Sequence, residues 1–365
     1  MAEVAEKAKR KVKSRVKNKA FKIGDITVKP GESTYIELPI PGLYSNSSIH
    51  MPVHVICGKE AGPTLFVSAA VHGDEINGVE IIRRLKNSKP VKRLKGTLIT
   101  VPVVNVYGFI NKTRYLPDRR DLNRFFPGSE EGSMASKLAY TFLSNISEQS
   151  DYGIDLHTAA IARDNLPQIR AVLDDNEIKD LALAFGAPVV LNAPLREGSL
   201  RESAAKTNTK ILLYEAGEAL RFDEISIRAG VSGIINVMRK IGMLPRSRKR
   251  VKLDPAISHS SQWVRASQSG ILRATNPMGN RINKGDILGY ISDPFGEVEV
   301  EIKSPVSGMV IGRATLPLVH EGEAIFHIAI FDELGEAESV YETFQSNVDP
   351  EEDDVAPKIE EPVIY

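Results

Sequence analysis

Between Phe21 and Cys57 the apolar residues fall in short runs, ITV, YIELPI and the alternating HMPVHVICG, with Pro and Gly between them. This spacing predicts short β-strands. From Thr64 onward, apolar runs of strand length alternate with stretches whose apolar residues recur at helical spacing. TLFVSAA leads into a helix over Gly78 to Leu85, GTLITVPVVNV reads as one long apolar strand, and Ser133 to Ile146 reads as a helix. IDLHT, APVVL and ILLYEAG follow as strands, with helices expected over Glu177 to Phe185, Ser199 to Lys206 and Phe222 to Lys240. Alternation of this kind implies an α/β sheet with helices on both faces, and such sheets gather their ligands at the carboxyl ends of the strands. Ser260 to Phe331 returns to short strands and turns, which predicts a small all-β unit.

Composition adds little to this picture, and charge adds more. At 365 residues, 42% hydrophobic and 26% charged, the chain has an ordinary composition and length for two domains. Lys plus Arg equals Asp plus Glu at 47 each, so nothing global points to nucleic acid or to a membrane surface. No apolar run is long enough to span a bilayer. The single cysteine, Cys57, excludes an internal disulfide and fits a reducing, cytoplasmic setting. The ends are opposed in sign: residues 1–22 hold nine Lys or Arg, and residues 332–365 hold twelve Asp or Glu. They are expected to be solvated tails, with pairing to each other or across a homo-oligomer as the alternative. The basic, proline-bounded PRSRKRVKLDP, 245–255, reads as a linker.

Candidate chemistry sits where strands end. After TLFVSAA a loop carries His72 and Glu75, and IDLHT delivers His157. Two imidazoles and a carboxylate are ligand types that zinc takes, and a catalytic zinc keeps a fourth position for water. Asp155, two residues before His157, is placed to hold that ring's tautomer. Between these segments, RYLPDRRDLNRFFPG supplies four arginines, and ILLYEAGE delivers Glu215 to a third loop. Guanidinium groups bind carboxylates in a fork and stabilise oxyanions, while a carboxylate beside activated water acts as a general base.

At these residues the sequence resembles the succinylglutamate desuccinylase and aspartoacylase family, a branch of the zinc carboxypeptidase-like enzymes. HGDE at His72 to Glu75, DLNRFFPG at Asp121 to Gly128, DLHT at Asp155 to Thr158 and EAG at Glu215 to Gly217 occur in the family's order. The resemblance covers roughly Pro63 to Leu244. It implies a carboxypeptidase-like mixed sheet flanked by helices, and one zinc per chain on His72, Glu75 and His157. It further implies Glu215 as general base and an arginine at the oxyanion. Arg114, in Thr113-Arg114-Tyr115, matches the family context for that arginine, with Arg119 and Arg120 as alternatives. Asn123 and Arg124 match the pair that grips the substrate's α-carboxylate.

The C-terminal stretch is similar to the biotinyl and lipoyl carrier fold, in KGDILGYI and IKSPVSGMVIG, but the hairpin tip DPFGEVEV has no lysine to modify. A barrel-sandwich used as a wall, lid or oligomer contact is therefore expected. The expected division is a basic tail 1–20, a catalytic domain 21–250, a β domain 256–332 and an acidic tail 333–365. His50, His54, His259, His320 and His327 are read as structural, and Arg163, Arg201 and Lys206 flank the site segments. The expected function is zinc-dependent hydrolysis of the amide bond of an N-acyl amino acid, with a small-molecule substrate and neither nucleic acid nor membrane as partner. A zinc carboxypeptidase acting on a peptide C-terminus and a non-catalytic binding protein on the same fold are the alternatives.

Overall fold

Thr64–Ala69, Thr97–Val101 and Tyr152–Ala159 bury nearly every side chain, so these strands have helices on both sides. The computed structural model describes residues 16–246, 255–331 and 341–344. Residues 1–15, most of the 245–255 linker and most of the acidic tail lie outside the described residues.

In chain order the first half comprises β1 (Phe21–Ile23), β2 (Ile26–Val28), β3 (Ser33–Ile40), β4 (Ile49–Cys57), β5 (Thr64–Ala69), α1 (Asn77–Asn87), β6 (Thr97–Val101), α2 (Val106–Asn111), α3 (Met134–Phe142) and β7 (Tyr152–Ala159). There follow β8 (Arg163–Ala171), α4 (Asn176–Phe185), β9 (Val189–Asn192), α5 (Leu200–Lys206), β10 (Lys210–Glu218) and α6 (Glu224–Lys240). The C-terminal strands are β11 (Ala256–Ser258), β12 (Ser260–Arg265), β13 (Gly270–Ala274), β14 (Arg281–Ile282), β15 (Ile287–Ser292), β16 (Glu299–Lys303), β17 (Gly308–Ala314), β18 (Leu318–Val319) and β19 (Ala324–Ile330).

The main sheet runs β12-β19-β17-β8-β10-β7-β5-β6-β4-β3. Its centre is parallel, from β10 through β7 and β5 to β6. At one edge β3 alternates exposed and buried residues, as a strand with one face in water does. Alternate residues of the central strands go to opposite layers. Leu65, Val67, Leu156 and Tyr214 pack in one cluster with Ile81 of α1, Phe185 of α4 and Ile234 of α6. Phe66, Ile99 and Ile211 pack on the other side with Phe142 of α3 and Leu200 of α5. His157 and Glu215 each follow a residue of the first cluster, so they fall on the second face.

Helix starts follow the expected capping chemistry: Ser133, Asp175, Ser199 and Asp223 each accept a backbone N–H with the side chain. The structure departs from the sequence pattern at two places. The apolar run GTLITVPVVNV is not one strand: β6 stops at Val101, and Asn105 accepts the Gly108 N–H to open α2. The strand β8, RDNLPQIRA, had no counterpart in the sequence reading.

β8 is also where the C-terminal strands join. β17 pairs with its first residues, Gly312 opposite Asn165, while β9 pairs with its later ones, Gln168 opposite Val189. A separate four-stranded sheet, β16-β15-β13-β18, covers the C-terminal part of the main sheet through Leu272, Ile291, Ile302, Val310 and Ile328. Among the described residues no helix is long and apolar enough to cross a membrane.

Candidate metal centre and catalytic site

The loop after β5 turns on a hydrogen bond from the Glu75 N–H to the His72 carbonyl (3.1 Å), which brings both side chains to the carboxyl edge of the sheet. Gly73 lies in that turn because there is no room for more: a Cβ there would sit 1.9 Å from the Gly108 carbonyl carbon at the start of α2. His157 arrives from β7, one strand over. Its Nδ1 is 2.7 Å from Glu75 Oε2, and His72 Nδ1 is 2.7 Å from Glu75 Oε1. All three ligand atoms lie within 4.8 Å of one another, all three residues are buried, and among the described residues they form the one such cluster.

Each histidine is held from behind by a carboxylate. Asp155 Oδ2 is 2.8 Å from His157 Nε2 and takes the Ser68 hydroxyl on its other oxygen at 2.7 Å. Asp121 Oδ1 is 3.2 Å from His72 Nε2. This arrangement orients Nδ1 of each ring toward a common point, the usual support for histidines that ligate a metal. Two imidazole nitrogens and a carboxylate so placed suit zinc in donor type and number. Burial would lower the pKa of both histidines, but Glu75 together with Asp121 or Asp155 outweighs it, and both are raised above the ordinary value. Burial would raise Glu75, yet the two histidines hold it well below the usual carboxylate range.

Glu215 stands directly across from His157 in the β10–β7 register. Its Oε2 accepts from Asn165 Nδ2 at 3.0 Å and lies 3.4 Å from Arg170 Nε. Gly217, two residues on, has φ +77°, and Asn77 of α1 donates to the Ala216 carbonyl (3.1 Å), so β10 bulges immediately after Glu215 before its pairing resumes with Gly217 opposite Asn165 and Glu218 opposite Ala159.

Of the three candidate arginines, the fold brings one to the cluster. Arg114 Nη1 is 3.2 Å from Glu75 Oε1, and its Nη2 is 3.0 Å from Asp121 Oδ2. Arg119 and Arg120 are exposed, and Arg120 lies over the Phe125 ring beside Asp118. Asn123 is buried and its Oδ1 accepts the Leu200 N–H (2.9 Å), which seats the start of α5. Arg124 donates to the Asn123 carbonyl (2.5 Å). Burial, reinforced by Arg196 and Arg114, lowers the Arg124 pKa. Arg163, Arg201 and Lys206 have local partners instead: the Trp263 ring, the Ala193 and Pro194 carbonyls, and Glu202. His54 stacks on Tyr35 and bonds Ser33, and His327 stacks on Trp263 and bonds Ser261, both inside the sheet. Burial takes their pKa values down to about 4 and about 3.

Asp121, Asn165 and Arg170 were not singled out from the sequence for the contacts they make here. Asp121 stood inside the quoted DLNRFFPG, where its position before Asn123 was visible and its proximity to His72 was not.

A mixed α/β sheet that collects a buried His-Glu-His cluster at its carboxyl edge, one strand from a further glutamate, defines an α/β protein with a candidate metal centre. Residues 61–241 match the family model described as the succinylglutamate desuccinylase/aspartoacylase catalytic domain. Over that span, just under half of the chain, the sequence is similar to this family. The N-alpha-acetyl-L-2,4-diaminobutyric acid deacetylase of Halomonas elongata is 28% identical over 317 residues, covering 82% of this chain and 92% of that protein. The fold is shared with a succinylglutamate desuccinylase/aspartoacylase from Rhodobacter sphaeroides (TM-score 0.74, 24% identity, 82% of this chain and 95% of that one). It is shared equally with the ectoine utilization protein EutE (DoeB) of Ruegeria pomeroyi in a product-bound structure (TM-score 0.74, 23% identity, 82% and 97%).

Proposed function

We propose that the chain is a zinc-dependent hydrolase that cleaves the amide bond of an N-acyl amino acid, releasing a small carboxylic acid and the free amine. The observation that carries this reading is the convergence of His72, Glu75 and His157 with Glu215 directly across from His157 on the neighbouring strand. The family match and the deacetylase of Halomonas elongata support it and favour a short acyl group such as acetyl.

One zinc would be held by His72, Glu75 and His157. When bound, such an ion supplies a lowered water pKa and a polarised acyl carbonyl. Glu215 takes a proton from the attacking water and returns it to the departing nitrogen, so one carboxylate serves as base and then as acid. Arg114, already beside Glu75, presents its guanidinium to the oxygen that becomes negative at the tetrahedral stage. Arg124, with the amide nitrogen of Asn123, takes the substrate's α-carboxylate; the Asn123 oxygen is committed to Leu200.

The test is a panel of N-acyl amino acids and short peptides assayed for released amine. Hydrolysis of N-acetyl or other short-acyl amino acids is expected. Cleavage confined to peptide C-termini, or no cleavage of any member, contradicts the proposal.

We further infer that the C-terminal strands have the shape of a biotinyl or lipoyl carrier without its chemistry. The turn between β15 and β16 is tied by Asp293 to the N–H groups of Phe295 and Val298 and contains no lysine. Intact mass is expected to stay unchanged after expression with biotin and lipoate supplied; a gain equal to either group would refute this.

A further inference from the structure

We propose that Asn165 is a positioning residue that fixes which oxygen of Glu215 takes the proton, and that Gly312 of β17 makes the space in which it does so. The proposal rests on the reading of Glu215 as general base.

β8 runs antiparallel to β10 with Glu215 opposite Gln168, and the register slips before Gly217 comes opposite Asn165. One residue on β10, Ala216, therefore faces two on β8, Leu166 and Pro167. At this irregularity the buried Asn165 side chain reaches along to Glu215, and its Nδ2 donates to Oε2 at 3.0 Å. Arg170 Nε approaches the same oxygen at 3.4 Å. Both described contacts of the Glu215 carboxylate thus fall on Oε2, and Oε1 is the oxygen left to accept a proton. An ionised carboxylate only accepts hydrogen bonds, so the amide must present its nitrogen to it and turn its own oxygen the other way.

That oxygen points at β17. Gly312 is the cross-strand partner of Asn165, and a Cβ built on it would lie 2.7 Å from Asn165 Oδ1. Any side chain at 312 would push the amide out of this orientation. The C-terminal strands thereby enter the chemistry through the absence of a side chain at one position. A base displaced by even a fraction of an ångström loses its alignment with the attacking water, which is why a group that touches no substrate can still govern the rate.

The experiment measures kcat and KM on the full, metal-loaded chain for Asn165→Ala, Gly312→Ala, Glu215→Gln and Asn165→Ala combined with Glu215→Gln. The substrate is the best member of the N-acyl panel, and zinc content and melting temperature are read on the same preparations. Loss of a hydrogen bond to a charged acceptor should lower kcat about 10- to 100-fold in Asn165→Ala, with KM, zinc and melting temperature held. Gly312→Ala should fall in the same direction. Added to Glu215→Gln, Asn165→Ala should cause no further loss, because a residue acting only through Glu215 has nothing left to position. An unchanged kcat in Asn165→Ala, or an equal loss in both backgrounds, overturns the proposal. If alanine at 165 lowers the melting temperature sharply, Asn165→Leu, which is close in shape and removes the donor without adding a charge beside Glu215, replaces it under the same two outcomes. Full activity in Glu215→Gln alone would instead overturn the base assignment, and the positioning role with it.

Discussion

Glu215→Gln is expected to reduce turnover by roughly 10²–10⁴-fold, the usual contribution of a positioned general base. The substitution is chosen because it disturbs little else. A glutamine oxygen can still accept from Asn165 Nδ2, now at 3.0 Å from Oε2, so the side chain should keep its place on β10. The ligand cluster is untouched, since His72, Glu75 and His157 make no described hydrogen bond to Glu215. Zinc content and melting temperature should therefore match the parent while hydrolysis collapses. A role for Glu215 confined to stability would give the reverse pattern, with a lower melting temperature and a rate per folded molecule close to the parent's.

His157→Ala should act at the other level, removing metal and activity together. The imidazole contributes one of three ligand atoms and is also the partner that Asp155 and Glu75 share. With the ring gone, Asp155 is left fully buried with Ser68 as its remaining side-chain partner, and Glu75 loses a contact on Oε2. Removing one member of a buried, hydrogen-bonded charge cluster costs about 3–5 kcal/mol, so the metal-free variant should unfold at lower denaturant than the metal-free parent. Added zinc should protect the parent against denaturant and leave His157→Ala almost unprotected, because a ligand stabilises only the state that binds it. Hydrolysis by this variant should fall to the uncatalysed background. Retention of a stoichiometric zinc by His157→Ala would remove His157 from the ligand set.

The parts of this site that could be read from the sequence are those at which strands end. HGDE, DLHT and EAG each follow an apolar run long enough to be a buried strand, and the chain order of strands and helices already implied that such ends would meet. What supports them was hidden for a definite reason. In β8 the buried positions include Asn165 and Gln168, and Pro167 interrupts the run, so no period of two marks RDNLPQIRA as a strand. Its place between β10 and β17 is set by tertiary pairing, and with it went the partners of Glu215. The run GTLITVPVVNV failed in the opposite way. Continuous apolar sequence does not distinguish a strand from a strand followed by a capped helix, and Asn105 alone marks the change. Among the arginines, sequence spacing left three candidates, and only the path of the chain after α2 separates Arg114, against Glu75, from the exposed Arg119 and Arg120.

His72, Glu75 and His157 are expected to hold one zinc on which hydrolysis depends. This is tested most directly by stripping the purified chain with a chelator and titrating zinc back while following hydrolysis of an N-acyl amino acid. No hydrolysis is expected in the stripped protein, followed by a linear rise that breaks at about one zinc per chain, the occupancy of a single site with three protein ligands. Full hydrolysis by the stripped protein, with no response to added zinc, would contradict this dependence.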